Sequence, residues 1–468
     1  MKKILTIVLG ALGLTASAAP ALPAPTTVDH ADWSRNAVIY EVNVRQYTPE
    51  GTFNSFARQL PRLRDLGVDI LWLMPIHPIS ELNRKGTLGS YYAVADYKAV
   101  NPEFGTLDDF KKLVDEAHAL GMKVIIDWVP NHTGCDNIWV SAHPEYYARN
   151  EKGEMFGPFD WTDTYKLDYS RPDTRAAMID AMSFWLTDAN IDGFRCDVAG
   201  QVPVDFWNEA RPALDKAAEG RPVFMLAEAT EPELMEHCFD MDYNWPMKDL
   251  FSEIAATSGQ YSFIAPGQTA PRQFKEAHAA DIVKLLESQE GQYPQDSYMM
   301  NMTSNHDLNS WEGTEFERLG SLARAFAVLS YTLPGMPVIY TGQEVGLNRA
   351  LEFFEKDEAP EWGSKPAMTE FYTTLNGLKH SRPELAAGRL GGKVEVFPTD
   401  SQDLLVFSRR RGTHETIVAV NLGTKGELLT FRGATPADKG AVNVFTGAPA
   451  SLPASLEPGE AVLLTVNH

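Results

Sequence analysis

Four charged side chains in this 468-residue chain stand inside or at the ends of runs that otherwise read as buried β-strands. Arg195 and Asp197 interrupt GFRCDV (193–198), Glu228 interrupts LAEA (226–229), and Asp307 closes SNHD (304–307) behind an apolar run. A carboxylate in an apolar strand is costly unless it is paired or used. Arg195 and Asp197 share strand parity, so both point to one face and Cys196 to the other. The chemistry that needs such a cluster is glycoside hydrolysis with retention. One carboxylate attacks the anomeric carbon, a second donates and later removes a proton, and the intermediate is covalent. That mechanism asks for carboxyl groups about 5–5.5 Å apart. An Arg beside Asp197 favours its ionised form, which leaves the raised pKa to Glu228, expected to be the last of the three to lose its proton.

These residues need a frame, and the chain supplies a repeating one. Short β-branched runs alternate with amphipathic helices. Strands are predicted at Ala37–Val44, Asp69–Met74, Lys123–Val129, Gly193–Val198, Val223–Ala229, Asp240–Asn244, Tyr298–Thr303 and Pro337–Thr341. Helices are predicted over Ser55–Leu66, Leu107–Leu120, Thr174–Asp188, Phe316–Leu329 and Met368–His380. Eight such β-then-α units predict an α/β fold, a (β/α)8 TIM barrel over 33–386, with a short inserted domain at 132–168 after the third strand. Barrel residues at the C-terminal strand ends face the active site, which brings Asp197, Glu228 and Asp307 to one mouth. From 387 to 468 short strands follow one another without helices, the pattern of a C-terminal antiparallel β-sandwich domain.

Composition narrows the partners. The formal net charge is −22. It leaves no basic excess to neutralise phosphates, which argues against nucleic acid and anionic membrane surfaces; a neutral substrate is compatible. Lys2 and Lys3, the apolar run Ile4–Leu14 and Ala16-Ser17-Ala18 have the layout of a signal peptide, 1–18, followed by an Ala/Pro-rich linker, 19–32. No other stretch is long enough to insert in a membrane. The mature protein is therefore expected to be exported, to the periplasm or the exterior. Three cysteines, Cys135, Cys196 and Cys238, are an odd number. The pairing to check first is Cys135 with Cys238, against the simpler reading of three buried thiols.

Read in order, DWVPNH (127–132), GFRCDV (193–198), LAEA (226–229) and SNHD (304–307) resemble the four motifs of the α-amylase family of glycoside hydrolases, family 13, of the bacterial exported type. GVDILWLMPIHP (67–78), YYAVADY (91–97), NPEFGT (101–106) and YTGQEVG (340–346) support the match. The resemblance implies cleavage of α-1,4-glucosidic bonds in starch-like α-glucans or maltooligosaccharides. Carried over by position, it makes Asp197 the nucleophile, Glu228 the general acid/base and Asp307 the residue that distorts the sugar. Arg195 orients Asp197, and Asp127 is tied to that arginine. His132 and His306 take the places of hydroxyl-binding histidines, and Tyr92, with Tyr91 as its competitor, that of the aromatic under the cleaved sugar. Trp128, Trp139 and Trp161 read as packing before they read as sugar platforms.

Two departures stand out. The nucleophile is followed by Val198-Ala199-Gly200-Gln201 where α-amylases often carry a Lys-His pair, and Lys166 stands where many members have an acid. No cofactor is expected to be required. Asn131 resembles a calcium-ligating Asn, which leaves a structural calcium open, but calcium wants six to eight oxygens and no ligand set is evident. The competing readings are a transglycosylase or branching enzyme of the same family and a non-catalytic carbohydrate-binding protein on the same barrel. The second would be expected to lack one of the carboxylates, and all three are present.

Overall fold

The computed structural model describes residues 23–468. The expected signal peptide, 1–18, and the start of the expected linker, 19–32, lie outside the described residues.

Eight parallel strands close into a barrel. They are β1 Ile39–Val42, β2 Ile70–Leu73, β3 Lys123–Trp128, β4 Gly193–Cys196, β5 Phe224–Ala227, β6 Met241–Tyr243, β7 Tyr298–Asn301 and β8 Met336–Tyr340. Each lies within two residues of its expected start and is trimmed where the chain turns toward the cleft. Period-two alternation sorts their side chains. Ile39, Ile70, Ile125, Phe224, Leu226, Met241, Tyr298, Met300, Met336 and Val338 fill the barrel interior. One step further along the same parity stand Glu41, Trp72, Asp127, Arg195 and Glu228. The lower layers are therefore apolar and the top layer polar. Gly193 permits close approach of β4 to β5, because a Cβ there would lie 1.9 Å from the Phe224 carbonyl oxygen.

The outer ring holds helices that the hydrophobic pattern did not reveal: Val204–Ala217, Trp245–Thr257 and Ala279–Glu290. Pro212 sits inside the first and Pro246 in the opening turn of the second, while the third buries only Ala279 and Ile282. Proline signals a break, and a nearly uncovered helix shows little periodicity. Expected single helices are also divided. Phe53–Ala57 and Leu60–Leu66 replace one, and a 3-10 turn, Gly320–Leu322, separates Glu315–Leu319 from Ala323–Thr332.

Between β3 and β4, His132–Gly134 pairs antiparallel with Thr164–Lys166. At the C-terminus, strands Lys393–Val396, Leu404–Arg411, His414–Asn421, Ala461–Asn467 and Val442–Asn443 form an antiparallel sheet in that spatial order. Leu405, Phe407, Val418, Val420 and Leu463 join the barrel's outer core, and the opposite face, with Leu404, Val406 and Ala419, packs with Leu456 of a two-stranded ribbon. The barrel and the ribbon thus supply the layers that cover this sheet. Arg409 fastens it by donating to the carbonyls of Thr332, Leu333 and Ala386.

The part of the 19–32 linker that is described is docked. Thr26 N–H donates to Gln295 O, and His30, 4% exposed, bonds Asp240 at 2.8 Å. A buried hydrogen bond and a β-bridge hold a segment whose composition reads as loose. Cys135 and Cys238 do not pair; all three cysteines are free and buried, and Cys238 Sγ donates to Asn208 Oδ1. Among the described residues no helix is long and apolar enough to cross a membrane.

Asp242 faces outward from β6, fully buried, with Tyr293 O–H and the Tyr243 N–H among its donors. Burial raises it well above the ordinary carboxylate range. A raised folded pKa contributes stability below the unfolded pKa of about 4, and that contribution is lost as pH rises through the folded value. Asp242→Asn is expected to raise Tm at pH 8, by the equivalent of about 1–3 kcal/mol, and to leave it unchanged near pH 4. Thermal melts at the two pH values check this.

Candidate active site

The polar top layer of the barrel converges on Arg195. Asp127 on β3 is its register neighbour on β4, and Nη1 of Arg195 donates to Asp127 Oδ1 at 2.7 Å and to Asp197 Oδ1 at 3.1 Å. Nη2 lies 2.8 Å from Glu228 Oε2, close enough for charge pairing but misaligned for a hydrogen bond. Nε donates to Tyr243 O–H at 3.1 Å. One buried guanidinium therefore holds the carboxylates of β3, β4 and β5 together. Its burial disfavours the charge, but Asp127 and Glu228 outweigh this and keep it cationic.

The backbone completes the clamp. Asp197 N–H donates to Trp128 O and Glu228 N–H to Cys196 O, fixing the strand ends side by side. Val198 has φ +38°, an outlier for a β-branched residue. In that conformation its N–H donates to Glu228 Oε2 at 2.8 Å. With Oε2 taken, Oε1 is the atom left to carry a proton.

His306, Tyr92 and Asp307 form the facing side. His306 Nδ1 lies 2.5 Å from Glu41 Oε1, its Nε2 2.7 Å from Tyr92 Oη, and Asp307 Oδ1 3.4 Å from Nε2. Tyr92 O–H donates to Asp127 Oδ2 at 3.0 Å, and Trp72 Nε1–H reaches the same oxygen at 3.1 Å. Tyr92 is the cleft residue; Tyr91, 1% exposed, is core. His132 is buried against Trp161, and burial lowers it to about 3, so it is neutral. Asp307 leads into a π-turn, Leu308–Glu312, which presents Trp311 to solvent at 50% exposure. Trp311 packs on Phe353 and Phe354, and Phe353 lies nearly parallel to Tyr92, which makes one aromatic wall.

All seven residues expected at the site are in one neighbourhood. Asp197, Glu228, Asp307, His132, His306 and Tyr92 line one cleft of about 220 Å³, and Arg195 lies beneath it. Trp161, read first as packing and second as a sugar platform, lines the same cleft; Trp128 is core. The reading of the sequence passed over Glu41, Trp311, Phe353 and Phe354. For Glu41 a signal existed: a carboxylate at inward parity in IYEV. For the aromatics none did, because they lie on loops after β7 and β8.

One electrostatic expectation is modified: the raised pKa does not fall on Glu228 alone. Burial, then the charge of Glu228, raises Asp197 well above the ordinary carboxylate range. Burial also raises Glu228, where Arg195 and the Val198 N–H oppose it. Arg195 is shared among three carboxylates, so it cannot hold Asp197 alone in the ionised form. The two groups titrate as a pair.

The family model for the alpha amylase catalytic domain matches residues 29–166 and 145–361. The chain belongs to the alpha-amylase family. Alpha-amylase MalA of Haloarcula japonica is 25% identical over 415 residues, 84% of this chain and 56% of that protein. The alpha-1,4-glucan:maltose-1-phosphate maltosyltransferase of Rhodospirillum rubrum is 28% identical over 422 residues, 82% of this chain and 57% of its own. The chain thus spans little more than half the length of these curated relatives. The crystal structure of an alpha-amylase from Lactobacillus plantarum superposes with a TM-score of 0.76 at 30% identity, covering 92% of this chain and 99% of that one. Alpha-amylase family relatives therefore include both hydrolases and transferases.

Proposed function

We propose that this protein hydrolyses α-1,4-glucosidic bonds of maltooligosaccharides or starch-like glucans with retention of the α-anomer. Asp197 attacks the anomeric carbon from below as the glycosidic C–O bond breaks. Glu228 gives the proton on Oε1 to the departing oxygen. Water then donates its proton back to Glu228 and attacks the glycosyl–Asp197 ester, releasing the sugar and restoring both carboxyls. Asp307, His306 and His132 bind hydroxyls of the cleaved sugar, and Tyr92 stacks on its face. The observation that carries this reading is that Asp197 and Glu228 meet on adjacent nitrogens of the single Arg195 guanidinium. Such contact supports the short carboxyl separation of retention, roughly 5 Å, over the wider gap that inversion needs.

The test is product analysis by ¹H NMR on maltoheptaose. Initial release of α-anomeric maltooligosaccharides shorter than the substrate is expected. β-Anomeric product would overturn the mechanism. Products longer than the substrate would favour the transferase reading, which the similarity to a maltosyltransferase keeps in view.

Catalysis without a required metal is part of the proposal. The residues around Asn131 do not fit calcium: Asn131 Nδ2 faces His132 Nδ1 at 3.4 Å, and Lys166 pairs in register with His132. Among the described residues no three His, Cys, Asp or Glu side chains gather as a metal site. Activity on maltoheptaose is expected to be unchanged after prolonged EDTA treatment and dialysis; loss of activity that calcium alone restores would refute it. We also propose export through the segment 1–18, which N-terminal sequencing of the protein from the periplasm or medium tests by a mature chain starting at Ala19.

A further inference from the structure

We infer that Glu41 is a positioning residue that fixes His306 as a doubly protonated imidazolium, so that a cation rather than a neutral ring faces the sugar hydroxyls. The inference deepens the glycosidase reading and rests on it for its kinetic consequence, though not for its chemistry.

His306 Nδ1 is 2.5 Å from Glu41 Oε1, and the His306 backbone N–H also donates to Glu41, at 3.2 Å to Oε2. A carboxylate accepts, so Nδ1 donates. On the other side, Nε2 is 2.7 Å from Tyr92 Oη, whose own hydrogen goes to Asp127 Oδ2. Tyr92 Oη must then accept, so Nε2 donates as well. Two donating nitrogens make an imidazolium. The chain Glu41–His306–Tyr92–Asp127–Arg195 runs unbroken under the cleft and ends at Asp197 and Glu228.

The charges that face this ring come from every side of the barrel. Glu41 comes from β1 and Asp127 from β3, Asp307 lies on the ring's own segment, and Glu228 comes from β5; Arg195 from β4 opposes them. Trp72 from β2 meets the ring edge-on. Tyr243 of β6 and Tyr340 of β8 face Glu41 as phenols held neutral by burial. The balance is favourable to the cation. Burial alone would lower His306, but Asp307 and Glu41 overcome it and bring it up to about 9. Glu41 sits on β1 at the parity of Ile39 with no solvent exposure, and its partners in the structure are the ring and backbone of His306.

The experiment is ¹⁵N NMR of histidine-labelled protein, with His306 assigned by its loss in His306→Asn. In the parent, both ring nitrogens are expected to be protonated at pH 7.5, with a midpoint near 9. In Glu41→Gln, whose amide oxygen can still accept from Nδ1, the midpoint falls by at least about one pH unit. kcat/KM on maltoheptaose then drops about threefold more at pH 8.5 than at pH 6, following the protonated fraction of His306. A merely structural role would scale activity equally at both pH values. A neutral His306 at pH 7.5 in the parent, or an unmoved midpoint in Glu41→Gln, would overturn the inference. The parent spectrum decides it even if the variant does not fold, and the NMR midpoint reads separately from any failure of the glucanase assay.

Discussion

Asp197→Asn is expected to lower kcat on maltoheptaose by ~10,000-fold or more, while the affinity for the sugar stays within a few-fold. The amide is nearly isosteric and its oxygen can still accept from Arg195 Nη1, so the cleft keeps its shape. What it loses is the lone pair that forms the glycosyl ester. Stability should move the other way. Asp197 is raised by burial and by Glu228, so its contribution to stability is full at low pH and is lost as pH rises through the folded value. An amide removes that loss, and Tm at pH 7 is expected to be higher than in the parent. Single-turnover kinetics, maltooligosaccharide titration and thermal melts test the three parts. Turnover within a few-fold of the parent would remove Asp197 from the mechanism.

Glu228→Gln should be almost as damaging for maltooligosaccharides, about 100- to 10,000-fold in kcat, because the departing sugar oxygen then leaves without a proton. The loss should depend on the leaving group. α-Maltosyl fluoride, whose leaving group needs little protonation, is expected to form the covalent intermediate at near-parental rate. The intermediate then accumulates for want of a base, and azide should release it as a glycosyl azide. The pH profile supplies a second signature. Glu228 helps to raise Asp197, so a neutral amide lets Asp197 ionise at lower pH. The acid limb of the fluoride reaction should therefore move to lower pH in the variant. An equal loss on both substrates, or an acid limb that does not move, would count against Glu228 as acid/base and as the partner that sets Asp197.

Side-chain parity and order along the chain carried most of the frame. Eight apolar runs were enough to read eight strands, and the four that lead to Asp127, Asp197, Glu228 and Asp307 to place these carboxylates at one mouth, because alternate residues of a strand must share a face and parallel strands must point the same way. Parity, however, names a face and not a neighbour. That Arg195 is divided among Asp127, Asp197 and Glu228 follows from barrel closure and register, and it leaves both Asp197 and Glu228 raised where adjacency of Arg195 and Asp197 suggests Glu228 alone. Glu41 and His306 lie 265 residues apart in the chain and meet only because β1 closes against β8, with β7 one strand further round. The aromatic wall of Trp311, Phe353 and Phe354 rests on a π-turn and a long loop whose shapes come from tertiary contacts such as Asn309 Oδ1 accepting from Leu351 N–H. The docked segment after residue 23 and the unpaired cysteines were decided in the same way, by which surfaces the closed barrel left within reach. Local pattern sets what a residue faces; pKa order, loop shape and long-range partners depend on distances that exist only once the chain has closed.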